Sequence, residues 1–171
     1  MTICLATTNR EIQEIRDLQE VNLKENVTAE NSLSDGFLSA KYELYFLKAM
    51  NDLTQAIIAK QKRVLVGYAL ATDRSLLAQH PLLNDLGTQI NKIPFGVKFI
   101  GDFDYLVVGQ LCVAKEVRGR GLAQDIYAQF KATYENQYHF ADTDVDRENL
   151  ASLKTHLKVG FSSCQHAPLW K

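Results

Sequence analysis

Hydrophobic and polar positions along this chain switch between two spacings, and each switch marks a boundary between elements. Ile3 to Thr7 is a short strand-like run, and Thr8 can cap a helix whose apolar face carries Ile12, Ile15, Leu18 and Val21. Asn22 to Asp35 is polar and without a clear period, a loop ahead of a second helix expected from about Leu38 to Met50. The aromatic residues there, Phe37, Tyr42, Tyr45 and Phe46, fit a core role. Gln55 to Ala59 and Val64 to Ala71 are apolar, partly β-branched runs around the polar stretch Lys60-Gln61-Lys62-Arg63, the pattern of an antiparallel hairpin.

Asp73 to Asp102 holds Pro81, Gly87, Pro94 and Gly96 and no long periodic stretch, so an insertion or a substrate-side loop region with short helical turns is expected. Leu106 to Val113 reads as a buried strand with Gly109 as a bulge or splay point. Gly121 to Tyr134 is a helix burying Leu122, Ile126, Tyr127 and Phe130, Tyr138 to Val145 a strand, and Asn149 to Val159 a helix. A last strand is expected from Phe161. This order predicts an α/β chain, one domain over residues 1–171.

Composition narrows the function classes. A formal net charge of −1 supplies no general attraction to nucleic acid or to an anionic lipid surface, and an RNA-binding reading lacks both a basic face and interleaved aromatics. Cys4, Cys112 and Cys164 are odd in number, widely spaced and without a CxxC pair, so neither a disulfide framework nor a zinc site is suggested. The opening residues are too short in apolar positions for a signal peptide, and no later segment approaches membrane-spanning length. The expectation is a cytoplasmic protein with reduced thiols, no metal, and no membrane or nucleic-acid partner.

The chemistry gathers after the Leu106–Val113 strand. A strand leading through Arg118-Gly119-Arg120-Gly121 into a helix places unpaired backbone N–H groups and the positive end of a helix dipole at one spot. Glycines let the backbone approach a ligand and take left-handed angles, while Arg118 and Arg120 add charge-assisted bonds to phosphate oxygens. The competing reading is a tight solvated turn. The spacing fits neither the dinucleotide pattern GxGxxG nor the P-loop GxxxxGK followed by Ser or Thr, which removes the main support for hydride transfer and nucleotide hydrolysis.

Val113 to Ala123 resembles motif A of the GCN5-related N-acetyltransferases, whose signature is Arg or Gln, two residues, Gly, one residue, Gly or Ala, here Arg118, Gly121 and Ala123. Asn149 to Phe161, ending in Gly160-Phe161, is similar to the superfamily's motif B helix. The two motifs fall at about 106–134 and 138–161, so the resemblance covers roughly the second half of the chain. It implies a mixed, mostly antiparallel central sheet flanked by helices on both faces. It also implies acetyl-CoA as co-substrate, held by Leu111, Cys112 and Val113 along the pantetheine arm, by Arg118, Gly119, Arg120, Gly121, Leu122 and Ala123 at the pyrophosphate, and by Asn149. A Gly109-Gln110 pair ahead of the motif A strand looks like that of a subset of bacterial acetyltransferases.

The implied reaction moves an acetyl group to a primary amine by direct transfer in a ternary complex. It requires a neutral nucleophile, an oxyanion donor and a proton for the departing thiolate. Relatives place a Tyr seven residues after the motif B Asn as the acid, where this sequence has His156; its competing role is a bond to a neighbour within a helix. Asp144 stands five residues before Asn149, where ribosomal-protein alanine acetyltransferases carry a catalytic Glu, and is the candidate base; the alternative is a solvated or capping carboxylate beside Asp142 and Asp146. Gln110 is the candidate substrate-positioning group, and capping competes with pantetheine contact for Asn149. Cys112 has no His or Asp at an activating spacing and reads as packing. The rival function is an acyl-CoA-binding sensor without catalysis. Few residues remain after motif B for the closing strands, which leans towards a homodimer pairing at an open edge. The acceptor, a small-molecule or peptide amine, has no motif of its own.

Overall fold

The fold is described from a computed structural model, covering residues 1–28 and 36–163. Five strands form the central sheet in the order β1-β2-β3-β6-β7: β1 (Thr2–Leu5), β2 (Ile57–Gln61), β3 (Val64–Thr72), β6 (Tyr105–Val113) and β7 (Phe140–Asp142). Neighbours are antiparallel except β6 and β7, which run parallel through Tyr105–Phe140, Leu106–Ala141 and Val107–Asp142. The mixed, mostly antiparallel sheet matches the expectation. Among the described residues six helices flank it: α1 (Asn9–Asn22), α2 (Leu44–Leu53), α3 (Arg74–Leu77), α4 (Pro81–Ile90), α5 (Leu122–Tyr134) and α6 (Leu150–Lys158). A small hairpin, β4 (Pro94–Phe95) with β5 (Lys98–Phe99), stands apart.

Alternation along the strands explains the two layers. Ile58, Tyr68, Leu70, Tyr105 and Val107 pack in one layer with Ile12, Ile15, Phe46 and Leu47 of α1 and α2, and with Leu83 and Ile90 of α4. Ile57, Ala69, Ala71, Leu106 and Val108 point the other way, onto Leu122, Ile126, Tyr127 and Phe130 of α5. Burial on both faces makes these strands nearly continuous apolar runs.

Several boundaries differ from the pattern-based expectation, each for a local reason. Thr8 does cap α1, in a capping box with Glu11. However, Val21 is 64% exposed and Gln19 is buried in its place. The Gln19 amide accepts from the Tyr42 N–H and donates to the Tyr42 carbonyl, both at 2.9 Å. That clasp engages both backbone groups of Tyr42 ahead of the helix, so α2 starts at Leu44, after the extended cap residue Glu43, instead of Leu38, and Tyr45 turns outward, 71% exposed. In the hairpin, Lys60 and Gln61 extend β2, and the turn contracts to Lys62 and Arg63, both at positive φ, 49° and 70°. The 73–102 region folds into α3, α4, β4 and β5. The last-strand expectation and Cys164 fall mostly outside the described residues; Phe161 to Ser163 are not in a strand.

Candidate coenzyme groove and acceptor cavity

Gly109 determines the geometry of the site. Leu70 pairs with Gln110 and Ala71 with Val108, so Gly109 is an extra residue in β6, a bulge. Its absent side chain is required, because a Cβ there would stand 2.8 Å from the Tyr42 hydroxyl. The bulge shifts the face phase, and β7 pairs with β6 only up to Val107. Beyond that point β7 has ended, Thr143 still donates its hydroxyl to the Val108 carbonyl at 2.9 Å, and β6 runs on without a strand partner on that side. Ala114 donates to the Val66 carbonyl at 2.8 Å, so by the alternation of an antiparallel ladder Cys112 is directed at β3, while Leu111 and Val113 direct their backbone groups to the open edge.

Two cavities meet over that edge. A groove of about 490 Å³ is lined by Leu111, Cys112 and Val113, by Arg118, Gly119, Gly121, Leu122 and Ala123, and by Asn149, Ser152, Lys154 and Lys158 of the α6 segment. A second cavity of about 450 Å³ is lined by Gln110, Asp144, His156, Tyr42 and residues of α4. Phe37, Leu38, Leu111, Asn149 and Ser152 line both, which places the junction at the β6 open edge.

The turn has the form an anion site needs. Gly119 and Gly121 take positive φ, 75° and 82°, and Gly121 is the residue from which α5 starts. A Cβ at Gly119 would meet nothing within 4 Å, so glycine serves backbone angle there and leaves open space. The first N–H groups of α5 have no helical partner, and the residues that carry them, Leu122 to Gln124, line the groove. Lys154 and Lys158, one helical turn apart on α6, add positive charge that the motif reading missed although their spacing is visible in the sequence. With the Gln124 amide assigned the orientation that satisfies both of its ends, its oxygen accepts from Lys158 Nζ at 3.1 Å. Arg120 is exposed and does not line the groove. Arg118 uses part of its guanidinium inside the protein: Nε donates to the Val113 carbonyl at 2.8 Å and Nη2 to Asn22 Oδ1 at 2.5 Å. These bonds tie the end of β6 to α1.

The other expected site residues are present at the cavities but heavily engaged. Asn149 caps α6, its Oδ1 accepting from the Ser152 N–H at 3.2 Å, and its Nδ2 donates to the Phe37 carbonyl at 2.7 Å. Gln110 accepts from the Tyr68 hydroxyl at 2.9 Å and donates to the Ala40 carbonyl at 2.6 Å, so it anchors the segment before α2. His156 is 6% exposed. Its Nε2 is 2.8 Å from the Tyr127 hydroxyl, and its Nδ1 is 2.8 Å from the Ser152 carbonyl and 3.3 Å from Ser152 Oγ. Only a neutral ring with its proton on Nδ1 satisfies both the carbonyl and a donating Tyr127. Burial lowers the ring's pKa below the usual range, with the Ser152 bond opposing. Asp144 is exposed on the wall of the second cavity. The Cys112 thiol is 4% exposed, and burial pushes it up to about 12 although Arg118 and a bond to Tyr68 act the other way. A thiol so placed is no nucleophile at neutral pH.

The comparisons with known proteins bear on these two cavities. The profile of the Acetyltransferase (GNAT) family matches residues 22–161. The chain belongs to the GNAT acetyltransferase family. Among solved structures, it is similar to aminoglycoside N-acetyltransferase AAC(6')-Iy in complex with CoA, with a TM-score of 0.60 and 17% identity over 99% of this chain and 98% of that one. A GNAT-family acetyltransferase from Streptococcus agalactiae gives 0.62 at 22% identity, covering 95% and 86%. A ribosomal-protein-alanine N-acetyltransferase from Brucella melitensis gives 0.59 at 18% identity, covering 95% and 85%. At these identities the likeness is one of fold. No curated protein matches the chain. Among the described residues of this GNAT chain, no group of three or more His, Cys, Asp or Glu is placed to hold a metal, and no helix is long and apolar enough to cross a membrane.

Proposed function

We propose that this GNAT protein is an acetyl-CoA-dependent N-acetyltransferase that acetylates a primary amine by direct transfer. The observation that carries the reading is the meeting of a phosphate-suited groove with a second cavity at the open edge of β6, where two substrates can touch. Bound acetyl-CoA supplies a thioester; its pyrophosphate suits the Gly119–Ala123 turn and its 3′-phosphate the Lys154–Lys158 face of α6.

The chain's residues then divide the work. The Leu111 N–H at the junction is the donor to the developing oxyanion. Asp144 takes a proton from the acceptor ammonium, directly or through water, so that a free amine attacks. The amine lone pair forms the C–N bond, the C–S bond breaks and the sulfur leaves with its electron pair. Of the two protons that the ammonium loses in total, one ends on the thiol and one in solvent. The route for a proton to the sulfur runs through Ser152 Oγ, which lines both cavities and lies 3.3 Å from His156 Nδ1. His156 is thus a positioning residue behind Ser152. The high pKa of Cys112 favours direct transfer over an acyl-cysteine.

Thiol release from acetyl-CoA in the presence of a mixed panel of primary amines is the test. Repeated turnover that depends on an amine supports the enzyme; stoichiometric CoA binding without turnover supports an acyl-CoA sensor instead.

A further inference from the structure

The second cavity carries a charge pattern that amine transfer alone does not require. Its described lining holds three carboxylates, Asp85, Asp144 and Asp146, and no lysine or arginine. Lys24 pairs with Asp146 at 3.1 Å. Asp85 and Asp144 take no ion pair among the described residues. They stand on different elements, Asp85 on α4 and Asp144 after β7, with Leu82, Leu83 and Leu86 on the α4 wall.

A buried carboxyl lies behind this wall and keeps its proton up to about pH 7, so the cavity's charge comes from Asp85, Asp144 and Asp146. Asp142 is 1% exposed, and neither of its carboxyl oxygens has a partner. Its strand neighbour Val107 packs in the same layer as Leu83 and Ile90, so Asp142 faces the α4 side of the sheet, the side that walls the cavity. Uncompensated carboxylates around an apolar wall attract cations and repel a carboxylate on the ligand.

We propose, resting on the amine-acetylation reading, that the acceptor is a di- or polyamine: two or more ammonium groups separated by a carbon segment, with no carboxylate. One nitrogen loses its proton beside Asp144 and reaches the thioester at the junction. A second stays charged against Asp85, and the carbon segment between them lies along Leu82, Leu83 and Leu86. The carboxylate-free requirement separates this acceptor from free amino acids, and the second charge separates it from simple monoamines and peptide N-termini. Linear aliphatic polyamines and amino-sugar polyamines share this chemistry.

The experiment is the initial rate of CoA thiol release with spermidine, 1,4-diaminobutane, neamine, butylamine, glycine and an alanyl peptide amide, for the wild type and for Asp85→Asn. Asp85 is exposed and unbonded, so the variant should fold. The expected result is a kcat/KM for a diamine or polyamine at least tenfold above that for butylamine, with glycine the poorest. In Asp85→Asn that ratio should contract at least fivefold through KM. Spermidine preferred over neamine identifies the linear class, and the reverse identifies the amino sugar. Butylamine, glycine or the peptide turned over as well as every polyamine, or an unchanged ratio in Asp85→Asn, overturns the acceptor and leaves acetyl transfer standing. No release with any amine by a protein that binds CoA overturns acetyl transfer and this acceptor together.

Discussion

Single residues at this site do more internal work than their positions suggest. Asn149, Gln110 and His156 line the cavities, yet each spends polar atoms inside the protein; the Asn149 cap and the His156–Ser152 bond are the local alternatives the sequence offered, whereas the bonds to Phe37, Tyr127 and Ala40 reach distant segments that it could not reveal. If His156 positions Ser152, His156→Phe should keep the ring packing, lower kcat by about tenfold to a hundredfold and flatten the acid limb of the pH–rate profile. A purely structural His156 would leave the profile of the folded variant unchanged. Asp142 makes a sharper case: burial raises its carboxyl to about 7. The unfolded chain ionises near pH 4 while the folded one holds its proton, so stability falls as pH rises from about 4 to 7. Asp142→Asn should remove that slope and stabilise the protein by about 4 kcal/mol at pH 8, with little effect at pH 4, as read by denaturant titration at both pH values.

At the scale of elements, what the pattern made legible was what local chemistry decides. The Thr8 cap, the β2–β3 hairpin, the Gly109 bulge, the α5 start at Gly121 and the α6 start at Asn149 each follow from a residue type at a turn or a run of matched period. The misplaced start of α2 followed from Gln19, a long-range partner that no local window includes. The α4 wall falls in the 73–102 stretch read as an insertion or a substrate-side region with short helical turns, but its individual residues, like the wall from Phe37 to Ala40, were hidden because a loop-like region carries no period to read. Gly121→Ala tests the turn itself. With φ at 82° and open space for a Cβ, the cost is backbone strain alone, about 1 kcal/mol. The variant should fold, melt a few degrees lower, and bind CoA several-fold more weakly in calorimetric titration.

The whole molecule is organised around one arrangement: β6 runs on past the end of β7, with an anion-suited turn on one side of its free edge and an acidic cavity on the other. Motifs A and B were legible because backbone N–H groups and glycine angles leave a spacing behind. The acceptor side was not, because its charge is assembled from α4, β7 and the loop beyond. The most direct test is an amide ¹H–¹⁵N titration of the full chain with CoA at fixed salt. The account predicts that the largest shifts fall on Gly119 and Gly121 to Ala123, with Leu111 and Val113 following and Lys62 to Val64 unmoved. Saturable binding with its shifts centred elsewhere, or no binding at millimolar CoA, would contradict the assignment of this groove to the coenzyme.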